Sequence, residues 1–163
     1  MNEPLQLKCI GAEYNGDFIC LQAYSDYSST MADPTATEYL FVENTSNEVL
    51  GNAVLEALKQ NRLLSYKEEC DLEKIAAQRY IDWIKKMVAR YGYKNRAELF
   101  QNMKSCMIEC YEHVLTIRPS HHEDLEVWRC EGIINEADLK IPLNSSASEV
   151  GAALRTAFSR CTG

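Results

Sequence analysis

The chain has 163 residues, of which 46% are hydrophobic and 25% charged, with 24 acids against 17 bases and a formal net charge of −7. That size and balance predict one soluble globular domain able to bury a real core. No apolar run approaches the roughly 20 residues that cross a bilayer, and the excess of acid disfavours binding to nucleic acid. The first residues, MNEPLQLKC, have neither the basic n-region nor the apolar h-region of a secretory signal, so the expected location is the cytoplasm.

The first third reads as β-structure. LQLKCI (5–10) and DFICLQAY (17–24) are short β-prone runs, and Asn15-Gly16 between them is a hairpin signal. SDYSSTMADPTAT is polar, contains Pro34 and lacks periodicity, which makes it a loop. EYLFVE (38–43) follows as a third strand.

Helices come next. Thr45 and Glu48 have capping-box spacing ahead of a helix over about 47–60. Asp71 is placed to cap a second helix, whose apolar positions from Leu72 to Tyr91 recur at helical spacing and stop at Gly92. The acids of YKEECDLEK (66–74) suit the positive end of that helix dipole. NRAELFQNM predicts a third, shorter helix.

The chain then returns to β. SCMIECYEHVLTIRPS reads as two strands, about 105–111 and 113–118, ended by Pro119, and DLKIPL (138–143) as a last strand. Ser146 and Glu149 form a capping box before a final helix over about 148–161. This order predicts an α+β fold: a single domain, mainly an antiparallel sheet, with three to four helices packed on it. Its parts are a β-rich acidic segment (1–43), a helical segment (47–104), and a hairpin, loop, strand and C-terminal helix (105–163).

Two stretches one hundred residues apart are alike: Gly51 with Ala53 and Ala57, and Gly151 with Ala153 and Ala157, each followed by an apolar stripe. Nothing between them repeats, which argues against a duplication. Small residues at these positions predict two helices that approach a neighbour closely.

No signature of catalysis appears: there is no G-x-S-x-G, HExxH, P-loop or G-x-G-x-x-G. Seven cysteines in a chain without a signal argue against a disulfide framework. The strongest site of the metal or hydrolytic class joins Cys106 and Cys110 to His121 and His122. Against it, no CxxC pair occurs. Cys106, Ile108 and Cys110 alternate onto one apolar strand face, and Ser120 with Glu123 fit a capping box. Trp83 and Trp128 read as core anchors. The expected set is therefore no catalytic residue, no cofactor and no metal.

Four motifs in order, VLGNAVLEALKQNRLL, YGYKNRAELFQNMKSC, LTIRPSHHEDLEVW and IPLNSSASEVGAALRTAFSRC, resemble the immunity proteins of bacterial contact-dependent growth inhibition (CDI) systems. The resemblance runs from about residue 38 to the C-terminus. It implies an inhibitor, not an enzyme, whose partner is the C-terminal toxin domain of a cognate CDI system, commonly a basic nuclease, neutralised in the cytosol. It also implies that toxin-contacting surfaces differ between members, while the shared motifs hold the fold.

Charge points to where such a surface would lie. Residues 1–48 hold eight acids and one base, and the other residues hold sixteen of each, so the whole net charge belongs to the first third. An acidic face complements a basic phosphate-binding cleft and speeds association. Asp17, Asp26, Asp33, Glu38 and Glu43 are the expected toxin-facing residues, with strand alternation sending Glu38 and Glu43 to opposite faces. A second candidate surface is RPSHHEDLEVW together with Glu68, Glu69 and Asp71.

Overall fold

A computed structural model describes residues 7–26, 30–130 and 137–163. In chain order the elements are β1 (Lys8–Tyr14), β2 (Ile19–Asp26), β3 (Thr30–Ala32), β4 (Glu38–Phe41), α1 (Asn47–Lys59), α2 (Tyr66–Tyr91), α3 (Arg96–Phe100), β5 (Lys104–Tyr111), β6 (Val114–Pro119), β7 (His121–Asp124), β8 (Val127–Arg129), β9 (Leu139–Pro142) and α4 (Ala147–Arg160). The expected α+β architecture is the one observed, with an antiparallel sheet ordered β3-β2-β1-β5-β6-β9. β2 carries two partners along one edge, β4 beside Ile19–Gln22 and β3 beside Tyr24–Asp26. β7 and β8 form a separate two-stranded ribbon.

The hairpin between β1 and β2 turns at Asn15 and Gly16, where Gly16 takes a φ of 99° that side chains disfavour. The strand itself runs through Gly11–Tyr14, four residues beyond the expected run, because both sides of this central strand are paired. Alternation then sorts the side chains. Ile10, Ala12, Ile19, Leu21, Ile108, Leu115 and Ile117 lie on one face, fully covered by α1 and α4. Cys106 and Cys110 share that face, as their spacing predicts.

Ser46, not Thr45, caps α1: its side chain accepts from the Val49 amide. A serine one residue later meets the same geometric need, with Glu48 then falling in the first turn. The box at Ser146 and Glu149 forms in full ahead of α4. These two helices meet in a reciprocal contact. A Cβ on Gly51 would lie 1.7 Å from the Ala147 carbonyl oxygen, and one on Gly151 would lie 2.0 Å from that of Asn47. Each glycine thus receives the first residue of the other helix.

α2 lies on the opposite side. It starts at Tyr66, five residues before Asp71, because Ser65 accepts from the Glu68 amide. Gly92 ends it in the left-handed region (φ 70°), its amide reaching the Val88 carbonyl. Phe18, Cys20, Ile84, Met87, Leu99, Phe100 and Met103 form a second core beneath its C-terminal part. Along its N-terminal and middle turns, Tyr66, Ile75, Tyr80 and Ile81 stay exposed. Its register against the sheet is consequently fixed from one end.

RPSHHEDLEVW departs from expectation. Ser120 does not cap a helix; its hydroxyl donates to the Ser105 carbonyl, and the residues after it form the β7–β8 ribbon. The C-terminal tail holds this ribbon, with the Thr162 amide donating to Ser120 and the His122 amide donating to Thr162.

Candidate functional site

Because α2 touches the sheet near one end, a cleft of ≈ 480 Å³ opens between its middle turns and the uncovered face of β1, β2 and β4. Glu13, Cys20, Gln22 and Tyr24 form its floor. Arg79, Trp83 and Lys86 come from α2, while Phe100, Met103 and Trp128 close one end. The same alternation that sends Ile10 and Ala12 into the core places Glu13 on this face, opposite Cys20 on β2 and Ser105 on β5.

Glu13 is the unusual group. Burial, then the neighbouring charge of Glu38, push its carboxyl up to about 7. No donor among the described residues meets that carboxyl. Nearby, the Trp83 indole Nε1 is buried and finds no acceptor among the described residues. A buried donor without an acceptor costs about 1–3 kcal/mol, so the cleft offers one donor and one acceptor that a partner could satisfy. Glu38 stands on the wall, 19% exposed, with its carboxylate 2.8 Å from Lys86 Nζ. Arg79 is turned back to the Ala32 carbonyl at 3.2 Å.

Trp128 is well anchored. Its Nε1 donates to the Met103 carbonyl at 2.9 Å, and its ring stacks on His122 at 4.8 Å. Tyr80, which also lines the cleft, donates to Glu126 at 2.6 Å, and Arg96 pairs with the same carboxylate. The wall of the cleft and the ribbon are thereby one connected unit.

The five acids expected at a partner surface do not form one cluster. Asp17 is exposed at the β1–β2 turn and accepts from the Tyr93 hydroxyl at 2.6 Å. Glu43 is exposed on the α4 side, where it accepts from the Tyr14 hydroxyl, and its backbone carbonyl accepts from Arg155. Glu38 faces α2, so Glu38 and Glu43 do lie on opposite sides of the sheet. The Asp26 side chain lies outside the described residues.

Asp33 does not reach the surface. Its side chain is 0% exposed and accepts from Ser25 Oγ at 2.7 Å, Thr35 Oγ1 at 2.7 Å and Arg62 Nε at 2.7 Å. Burial pushes its carboxyl up, but the donors from Arg62, Ser25 and Thr35 outweigh it and hold the group well below the usual carboxylate range. Asp33 is a loop anchor, placed by the segment between β3 and β4 folding back onto β2. Sequence alone does not separate it from its exposed neighbours, since its partner Arg62 is 29 residues away.

The second surface is similarly committed. Glu68 pairs with Arg62, Glu69 is buried, and Asp71 is exposed with Lys74 3.9 Å away. Nor do the residues of the metal alternative converge. Cys106 contacts Cys161, His121 Nδ1 meets Thr162 Oγ1 at 2.8 Å, and His122 Nε2 meets the Leu125 carbonyl at 2.9 Å. No group of three His, Cys, Asp or Glu among the described residues is arranged to hold a metal ion.

Sequence reasoning counted Glu13 among the acids without singling it out, and it assigned Trp83 to the core. The available signal was the position of Glu13: a carboxylate inside a strand whose alternate residues, Ile10 and Ala12, are apolar, beside Gly11 and facing a neighbour rich in β-formers.

Comparison with known proteins follows the same lines. A family model described as CdiI, CDI immunity protein, matches residues 8–161. The chain is 34% identical to the immunity protein CdiI-YPIII of Yersinia pseudotuberculosis serotype O:3, across 100% of both chains. Among solved structures it is similar to a chain of the CdiA-CT/CdiI toxin and immunity complex from Yersinia pseudotuberculosis, with a TM-score of 0.87 and 35% identity over 96% of this chain and 98% of that one. A Neisseria meningitidis protein of unknown function gives a TM-score of 0.86 and 35% identity over 99% and 98% of the two chains. The similarity begins at β1, thirty residues before the stretch expected from the sequence motifs, as a central strand paired on both sides requires.

Proposed function

Because this chain belongs to the CdiI family of CDI immunity proteins, we propose that it binds the C-terminal toxin domain of a cognate CDI system in the cytosol and neutralises it by occupancy, without chemistry of its own. The observation that carries this reading is its likeness, over nearly its whole length, to a chain of the CdiA-CT/CdiI complex. A nuclease with a basic phosphate-binding cleft is the toxin class that suits an inhibitor whose net charge of −7 arises entirely from its first 48 residues.

The toxin-facing surface is assigned to the acids of that third that remain available, Asp17, Glu38 and Glu43, with Asp26 at the end of β2. Asp33 supports the loop from behind. Of these, Glu38 is the best placed, because it borders a cleft in which the Trp83 indole finds no acceptor among the described residues and the Glu13 carboxyl is held up by burial. Binding there gives both groups partners and releases Lys86 from an intramolecular pair.

Co-expression tests the assignment. Cells that make the toxin domain encoded beside this protein should survive only when the protein is present. Death of cells despite soluble, folded protein overturns the immunity reading. A survival that also requires no physical complex, judged by co-purification, overturns neutralisation by binding.

A further inference from the structure

On the opposite side of the sheet from the cleft, two thiols meet. Cys106 on β5 is 2% exposed, and Cys161, which closes the C-terminal end of α4, is half-buried beside it. Their Sγ atoms are 3.6 Å apart, and Cys161 Sγ also lies 3.5 Å from the Ser105 carbonyl oxygen. Cys161 already has extended backbone (φ −63°, ψ 143°), so it stands just outside the helix and can move toward β5 without unwinding a turn. A disulfide needs sulfurs about 2 Å apart, and this pair is one small displacement from that geometry.

We propose that Cys106 and Cys161 form an oxidation-sensitive dithiol that closes to a disulfide on exposure to hydrogen peroxide, fastening the C-terminal tail to the central strand. Cys161 is the attacking sulfur because it is the more accessible of the two. Its pairing with the Cys106 thiol, then the Ser120 backbone and the Lys104 charge, outweigh burial and hold it below the ordinary thiol range. The same pairing, with burial, pushes Cys106 up.

The chemistry balances in two steps. The Cys161 thiolate attacks one peroxide oxygen, the O–O bond breaks, and the released hydroxide takes up the proton that left the thiol, giving a sulfenic acid and water. The Cys106 sulfur then attacks the Cys161 sulfur, an S–S bond forms and the S–O bond breaks. The hydroxide leaves as water with the Cys106 proton. Two thiols and one peroxide yield one disulfide and two waters.

Closure reaches beyond the two sulfurs. Thr162, next in the chain, is hydrogen-bonded to Ser120 and His122, and His122 stacks on Trp128 at one end of the cleft. The dithiol therefore secures the strap that holds the β7–β8 ribbon.

Peroxide titration of the reduced, folded full chain, followed by thiol counting and peptide mapping, is the test. Wild type should lose two of its seven thiols and yield a cross-linked Cys106–Cys161 peptide that dithiothreitol reverses. Cys161→Ser should abolish the cross-link, and Cys106→Ser should leave a dimedone-reactive sulfenic acid on Cys161. Exposed Cys130, which is close enough to influence Cys106 electrostatically, is removed by Cys130→Ser, and the cross-link should persist. A wild-type map with Cys161 over-oxidised and unlinked, or linked to Cys130, overturns the proposal. Because the wild-type map decides it, a poorly folding variant does not.

Discussion

The carboxyls of Asp33 and Glu13 are displaced in opposite directions, and each reports a different kind of environment. Asp33 is held by Arg62, Ser25 and Thr35. The folded chain holds its proton less tightly than the unfolded one, so its stabilisation is present above the ordinary value of 3.8 and is lost as pH falls below it. Glu13 behaves in reverse. Its carboxyl, at about 7 against an ordinary 4.5, binds a proton more tightly when folded. The folded state is favoured fully below 4.5, and that advantage is lost as pH rises through about 7. Glu13→Gln, which keeps the shape and removes the charge, should raise stability at pH 8 by on the order of 2 kcal/mol and change it little at pH 4. Urea unfolding at the two pH values reads this out, and an equal effect at both would mean that Glu13 ionises freely in the fold.

At the scale of elements, the crossing of α1 and α4 explains the likeness of two stretches that do not repeat. Gly51 and Gly151 are each closed in by a backbone carbonyl of the other helix, and a carbonyl in a capped first turn has nowhere to retreat. Gly151→Ala should therefore cost about 3 kcal/mol or more, at the upper end of overpacking, and Gly151→Leu should prevent the pair from closing. Thermal unfolding gives the first number; toxin preference of whatever folds should be unchanged. A Gly151→Ala protein as stable as wild type would show that the helices do not touch there. This packing was legible from small residues and apolar stripes because a helix contact is local in pattern. Gly92, the Asn15-Gly16 turn and the Ser146 box were legible for the same reason. The start of α2 was read six residues late, since Asp71 and Ser65 both satisfy cap chemistry and only Ser65 is positioned to use it. The β7–β8 ribbon was not legible, because it depends on Thr162, some forty residues away, to pair His122. The cleft was invisible for a related reason: it results from how far α2 stands from the sheet, which no short stretch encodes.

For the molecule as a whole, what matters is where the surplus charge is left free. The acidic third forms one edge of the sheet and β1 at its centre, so its carboxylates are spread over both faces, and part of the surplus is neutralised internally by Arg62 and Lys86. The acids that remain set the long-range field that, on the proposed reading, a basic toxin would meet on approach. Replacing Asp17 and Asp26 by Asn, and Glu38 and Glu43 by Gln, should weaken binding to the cognate toxin about tenfold, each rim charge contributing a few tenths of a kcal/mol. The loss should fall mainly on the association rate and flatten its dependence on salt. Asp33→Asn is the matched control. It lowers net negative charge by the same step as any one of the others, but from inside the fold, so it should reduce stability while leaving the salt dependence in place. Stopped-flow association at several ionic strengths distinguishes the two classes. If the fourfold variant retains both rate and salt slope, the toxin is recognised elsewhere, and the acidity of the first third serves only to keep an exposed sheet edge hydrated and apart from other edges.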